Sequence, residues 1–149
     1  MSSKAETLRQ LHLAPPLLVL PNAWDVASAR AFAALPGCRA LATSSAAVAR
    51  SLGWEDGEQA PRDEMLRVVE RIVAAVGVPV TADLEAGYGD PAGTAVAAVY
   101  AGAAGMNLED SRGDELLAVE EQVAIITEVR AVAPELVLNA RRHVHLWRR

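Results

Sequence analysis

The stretch Val78-Pro79-Val80-Thr81-Ala82-Asp83-Leu84-Glu85-Ala86-Gly87-Tyr88-Gly89-Asp90 decides how the chain is read. It opens as a short β-branched run, the mark of a buried strand. It closes in a loop carrying Gly87 and Gly89, which allow a sharp turn and close approach to a ligand. Side chains two apart on a strand share a side, so Asp83 and Glu85 can converge at the strand's C-terminal end. Two carboxylates beside such a loop suit a hard divalent cation such as Mg²⁺. The same residues would also serve a plain polar turn. Asp90-Pro91 reads as the N-cap and first residue of the next helix.

Outward from this stretch the chain alternates. Upstream, Lys4–His12 reads as a short amphipathic helix, and Leu17–Leu20 as an apolar strand stopped by Pro21-Asn22. Asp25 caps a helix to about Leu35, and Arg39–Thr43 is a second strand. A helix opens after Pro61, with apolar positions 65, 66, 68, 69, 72, 73 and 76 at helical spacing. Downstream, Ala92–Ala103 is a helix and Met106–Glu109 a strand. Asp110–Glu115 is a loop, Val119–Val132 a helix, and Leu136–Ala140 a fifth strand. Continuous apolar strands between helices mean parallel βα units covered on both faces. A (β/α)₈ barrel and a doubly wound sheet both satisfy that pattern. No Gly-x-Gly-x-x-Gly follows the first strand, so dinucleotide binding has no support.

The chain's 149 residues suffice for one domain with a real core. A net charge of −5, with basic residues clustered only at the end, speaks against nucleic acid as a partner. The single cysteine, Cys38, excludes an internal disulfide and reads as a small buried residue. The polar N-terminus lacks the apolar core of a signal peptide, and no apolar run of about 18 residues is present. A cytoplasmic protein without membrane contact is expected.

The polar residues fall where the strands end: Asn22, Ser44-Ser45, Asp83 with Glu85, Glu109 with Asp110, and Asn139 with Arg141. Parallel strands bring these ends to one edge or one mouth, where α/β active sites lie. Each alone reads as a cap or turn; together they have a chemical logic. Asp83, Glu85 and Glu109 could hold Mg²⁺ directly or through water. Arg141 offers a planar fork to a carboxylate or phosphate. Ser44-Ser45-Ala46 offers hydroxyls and amides to an anion. Asp83→Ala is expected to leave folding nearly unchanged, since a strand-end acid adds little to the core.

In order along the chain stand Pro21-Asn22-Ala23-Trp24-Asp25, Thr43-Ser44-Ser45-Ala46, Asp56-Gly57-Glu58, Thr81–Gly89, Asn107-Leu108-Glu109-Asp110 and Asn139-Ala140-Arg141. Their joint order resembles the isocitrate lyase / phosphoenolpyruvate mutase superfamily, over roughly residues 6–141. The resemblance implies a (β/α)₈ barrel, a Mg²⁺ cofactor with Mn²⁺ as a substitute, a small carboxylate substrate and a homo-oligomer. It implies lyase-type chemistry at a C–C or P–C bond of a 2-oxo acid or enolpyruvate compound. By the same resemblance Asp83 is the metal carboxylate, with Glu85, Glu109 and Asp56 as further acids of the metal shell. Ser44, Ser45 and Ala46 hold the substrate's oxygens, Trp24 lines the pocket, and Arg141 binds substrate. The loop Asp110–Leu116 lacks the Lys-Lys-Cys-Gly-His motif of isocitrate and methylisocitrate lyases, which turns the expectation toward an oxaloacetate-decarboxylase-like branch or an uncharacterised lyase branch.

A full barrel takes about 250 residues, and this chain stops just after its fifth strand. The expectation is therefore five βα units, residues 1–141, followed by a basic, non-family tail, 142–149. His143 and His145 read as part of that exposed tail. Reduced activity, a non-catalytic remnant, or a module that only binds a carboxylate metabolite are the alternatives such a length suggests.

Overall fold

A computed structural model describes residues 3–113 and 115–142. Helix α1 (Lys4–Leu13) comes first, then strand β1 (Asn22–Ala23), α2 (Val26–Ala33), β2 (Leu41–Thr43), α3 (Ser45–Ser51) and α4 (Arg62–Ala75). They are followed by β3 (Val80–Asp83), α5 (Pro91–Tyr100), β4 (Gly105–Glu109), β5 (Ser111–Arg112), β6 (Glu115–Leu116), α6 (Val119–Val132) and β7 (Val137–Arg141). Five strands form one parallel sheet in the order β1-β2-β3-β4-β7. The spatial order follows the chain without reversal. A doubly wound sheet would turn back at a switch point; this sheet advances strand by strand, as the wall of a barrel does.

The helix starts are written in the sequence. Asp25 accepts from the Ser28 amide while Ser28 Oγ accepts from the Asp25 amide, a reciprocal cap on α2. Asp90 accepts from the Gly93 amide at 2.9 Å, with Pro91 at the first position of α5. Helix α6 spans the range that its pattern predicts.

Alternate strand residues divide the two faces. Ala82 of β3, Met106 and Leu108 of β4, and Leu138 of β7 pack under α4, α5 and α6, among Leu66, Val69, Ala95, Ala98 and Val129, while Val80 of β3 packs with Ala29 of α2 and Ile72 of α4. The opposite face of these strands carries Thr81 and Asp83, Asn107 and Glu109, and Asn139 and Arg141. Asn139 donates to Asn107 Oδ1 at 2.8 Å on that face. At the strands' N-terminal end α1 forms a floor. Leu8, fully buried, lies against Ala40, Ala104 and Val137. Gly105 makes room for it, because a Cβ there would stand 2.6 Å from Val137 O and 3.0 Å from Leu8 Cδ2.

Two expectations are corrected. Leu17–Leu20 is not a strand: the ladder to β2 begins only at Asn22↔Ala42. Leu18 and Leu20 instead join the floor cluster while Leu17 and Val19 are exposed. Alternation is thus present, but no neighbouring strand extends far enough to pair with it. The short helix α3 follows Ser44, its N-cap, directly after β2. The loop after β4 contains an antiparallel ribbon, β5 with β6. His143 and His145 lie outside the described residues.

Candidate functional site

The C-terminal ends of β1, β2, β3, β4 and β7 surround one cavity of about 570 Å³. Its wall includes Asn22, Ser44, Ser45, Ala46, Asp83, Glu85, Glu109 and Arg141, with Asp56, Gly57 and Glu58 coming from the loop before α4. The expected residues are therefore neighbours, with one exception. Trp24 is not in the wall; its ring meets Phe32 edge to face, with centroids 6.2 Å apart.

Asp83 is fixed from two sides. Its amide donates to Thr43 Oγ1 at 2.9 Å. Its Oδ2 accepts from the Ser45 amide at 3.2 Å and from Ser45 Oγ at 2.9 Å. Ser45 therefore spends both donors on Asp83 and orients it, instead of facing a substrate anion as the sequence led us to expect. Asp83 Oδ1 is shielded from solvent and has no hydrogen-bond partner among the described residues. A carboxylate oxygen in that condition costs stability unless something positive meets it. Ser44 Oγ caps α3 by accepting from the Ala47 amide at 3.3 Å. Its own proton has no acceptor among the described residues.

Glu109 and Arg141 stand opposite each other in the β4–β7 register, and Arg141 Nη1 lies 3.3 Å from Glu109 Oε1. Arg141 is half exposed and retains most of its five N–H donors. Asp56 is exposed on its loop.

Glu85 is buried and differently engaged. Its Oε2 accepts from the Glu58 amide at 2.8 Å, and its Oε1 from Tyr88 Oη at 3.0 Å. The Tyr88 amide in turn donates to Glu58 Oε1. All three residues have left-handed backbones, with φ of +60° at Glu58, +51° at Glu85 and +56° at Tyr88. Non-glycine residues adopt that conformation at a cost of about 1–2 kcal/mol each. Burial raises the Glu85 carboxyl to about 7; the charges of Asp56 and Glu58 push the same way, against the bonds from Tyr88 and the Glu58 amide. Burial and the Glu85 charge likewise raise the Tyr88 phenol. Glu58 and Tyr88 carried no role in the sequence reading. Their left-handed geometry is invisible in residue type, although Asp56-Gly57-Glu58 and Gly87-Tyr88-Gly89 both border glycines that promise such turns.

Among the described residues no three His, Cys, Asp or Glu side chains close round a point as direct metal ligands do. Direct ligation by three acids is thus not what the geometry offers. It offers Asp83 with a vacant, buried oxygen, and Asp56 and Glu109 on the same wall. That donor set fits a cation which keeps most of its water, as Mg²⁺ does.

The family profile of phosphoenolpyruvate phosphomutase matches residues 8–149. The chain belongs to that family. It lies within the phosphoenolpyruvate mutase / isocitrate lyase superfamily, whose members are typically Mg²⁺-dependent and act on small carboxylates. An uncharacterized protein of Mycobacterium tuberculosis (strain ATCC 25618 / H37Rv) is 37% identical over 124 residues, 83% of this chain and 47% of that protein. A Burkholderia cenocepacia J2315 protein, provisionally named a phosphonomutase, superposes with a TM-score of 0.89 at 45% identity. That match covers 95% of this chain and 61% of the other. Oxaloacetate acetylhydrolase superposes with a TM-score of 0.84 at 30% identity, over 94% of this chain and 53% of its own. The chain spans about half the length of the curated relatives it matches, and its five-stranded sheet corresponds to about half of a superfamily barrel. No helix among the described residues is long and apolar enough to cross a membrane.

Proposed function

We propose that this chain carries the cation- and carboxylate-binding wall of a Mg²⁺-dependent lyase or mutase that makes or breaks a C–C or P–C bond beside the carbonyl of a small 2-oxo acid or enolpyruvate compound. The observation that carries the reading is Asp83, held by Ser45 on one oxygen and left without a partner on the other, in the wall of the cavity. Asp83 would hold the cation, and Asp56 and Glu109 would hold its water. When bound, the cation supplies positive charge where negative charge develops on a substrate oxygen.

The chain's own residues do the rest. Arg141 takes the substrate carboxylate in a two-pronged grip, leaving its loose contact with Glu109. Ser44 Oγ–H donates a hydrogen bond to the substrate's oxo oxygen, and Ala46 forms the wall beside it. Ser45 keeps Asp83 in one rotamer, so that its free oxygen does not have to reorganise when charge arrives. Within the superfamily the missing Lys-Lys-Cys-Gly-His motif favours an oxaloacetate-type substrate over isocitrate.

The test pairs binding with turnover in the full chain. Oxalate should bind by calorimetry only when Mg²⁺ is present, and oxaloacetate should be consumed in a Mg²⁺-dependent way. Oxalate binding that is indifferent to Mg²⁺, or weakened by it, would overturn the reading.

A further inference from the structure

We propose that Glu85 is a positioning residue and not a cation ligand: it latches the 54–60 loop onto the rim of β3 and thereby sets where Asp56 stands. The inference rests on the cation reading above for the purpose of the latch, but not for its existence. Each carboxylate oxygen of Glu85 already accepts one hydrogen bond, from the Glu58 amide and from Tyr88 Oη. The Glu85 carbonyl accepts from the Glu109 amide at 2.8 Å, so the same residue also ties β3 to the acid at the end of β4.

The bonds among Glu58, Glu85 and Tyr88 close into a ring, because the Tyr88 amide returns to Glu58 Oε1. The Tyr88 ring anchors this ring in the core against the cluster of Val48, Ala49, Ala60 and Met65. Three left-handed non-glycine backbones persist together here, and such conformations survive only where the surroundings over-determine them. The ring of bonds is what over-determines them. Asp56, two residues from Glu58 and exposed, has no hydrogen bond of its own among the described residues and takes its position from the latch. Side-chain length is therefore the property that matters at position 85. A cation ligand needs charge; a latch needs reach.

Two substitutions separate these requirements. Glu85→Gln keeps the reach: its carbonyl accepts from the Glu58 amide and its NH₂ donates to Tyr88 Oη. Glu85→Asp keeps the charge and shortens the arm by one methylene. In the full chain without metal, exchange of the Glu58 amide should accelerate about tenfold or more in Glu85→Asp, the factor for losing a bond to a charged acceptor, and change far less in Glu85→Gln. Tyr88→Phe, which removes one strand of the ring, should fall between them. Mn²⁺ alone, followed by its electron paramagnetic resonance signal, should bind Glu85→Gln more tightly than Glu85→Asp. The reverse order in both measurements, with Asp protecting the amide and holding Mn²⁺ better than Gln, would overturn the proposal. Failure of the unaltered chain to bind Mn²⁺ would count against the cation reading, while the metal-free exchange comparison decides the latch separately.

Discussion

Replacing Asp83 tests the centre of the site, and its consequences can be worked out atom by atom. Asp83→Ala removes the acceptor of both the Ser45 amide and Ser45 Oγ, at the buried start of α3. A hydrogen bond to a charged group is worth about 1.5–3 kcal/mol, and a buried donor left unmade costs on the same scale. Water from the cavity can replace part of this, so a loss of about 2–3 kcal/mol is expected for the pair. At an m-value of about 2 kcal/mol/M, the urea midpoint in EDTA falls by about 1–1.5 M. The sequence-based view that Ala leaves folding nearly unchanged does not survive this geometry. Asp83→Asn is the sharper probe. Its amide oxygen still accepts from Ser45, and its NH₂ occupies the place of the unpartnered Oδ1, so the midpoint in EDTA should move by less than about 0.5 M. Mg²⁺ at about a hundred times its dissociation constant should stabilise the unaltered chain by about 2.7 kcal/mol, or about 1.3 M in midpoint, and leave Asp83→Asn unmoved. The reasoning is refuted if Asp83→Ala melts with the unaltered chain, or if Mg²⁺ raises Asp83→Asn just as far.

Gly87→Ala should lose about 2–4 kcal/mol, since φ is +96° and the new Cβ would stand 2.6 Å from Pro91 Cα. Gly89→Ala, at φ +74° with nothing within 4 Å, should lose only about 1 kcal/mol, and equal losses in urea melts would refute the steric account. Glu85, raised to about 7, binds its proton more tightly folded than unfolded. Its contribution to stability is complete below about 4.5 and is lost as pH rises through about 7. Unfolding midpoints of the unaltered chain relative to Glu85→Gln should therefore fall between pH 5 and 8, and a flat difference would contradict the shift. Arg141→Lys keeps the charge and loses the fork, so oxalate affinity in Mg²⁺ should drop about tenfold by calorimetry; an unchanged affinity removes Arg141 from the site.

What could be read from residues alone was whatever local chemistry decides. Asp25 and Asp90-Pro91 mark helix starts because capping is a matter of a few adjacent atoms. The polar strand ends share a rim because parallel βα units leave them no other arrangement. The failures have non-local causes. Leu17–Leu20 has a strand's composition but no neighbour at that height of the sheet. Ser45 looked like an anion donor until Asp83, 38 residues away, was seen to take both its donors. Glu58 and Tyr88 owe their importance to left-handed backbones that only the folded ring of bonds sustains. Trp24 lost its expected place to Phe32, a packing choice within its own βα unit.

The floor helix α1 has a consequence for how the chain is made. Each strand of the sheet finds its partner in the unit just synthesised, so pairing can keep pace with translation. Helix α1 cannot. Leu8 is buried only when Ala40, Ala104 and Val137 are all in place, and the guanidinium of Arg9 reaches the carbonyl of Glu135, 126 residues further on. The segment that leaves the ribosome before every strand it covers is thus the one that docks after all of them. Until Val137 has been made, Leu8 has only part of the surroundings that bury it in the finished fold.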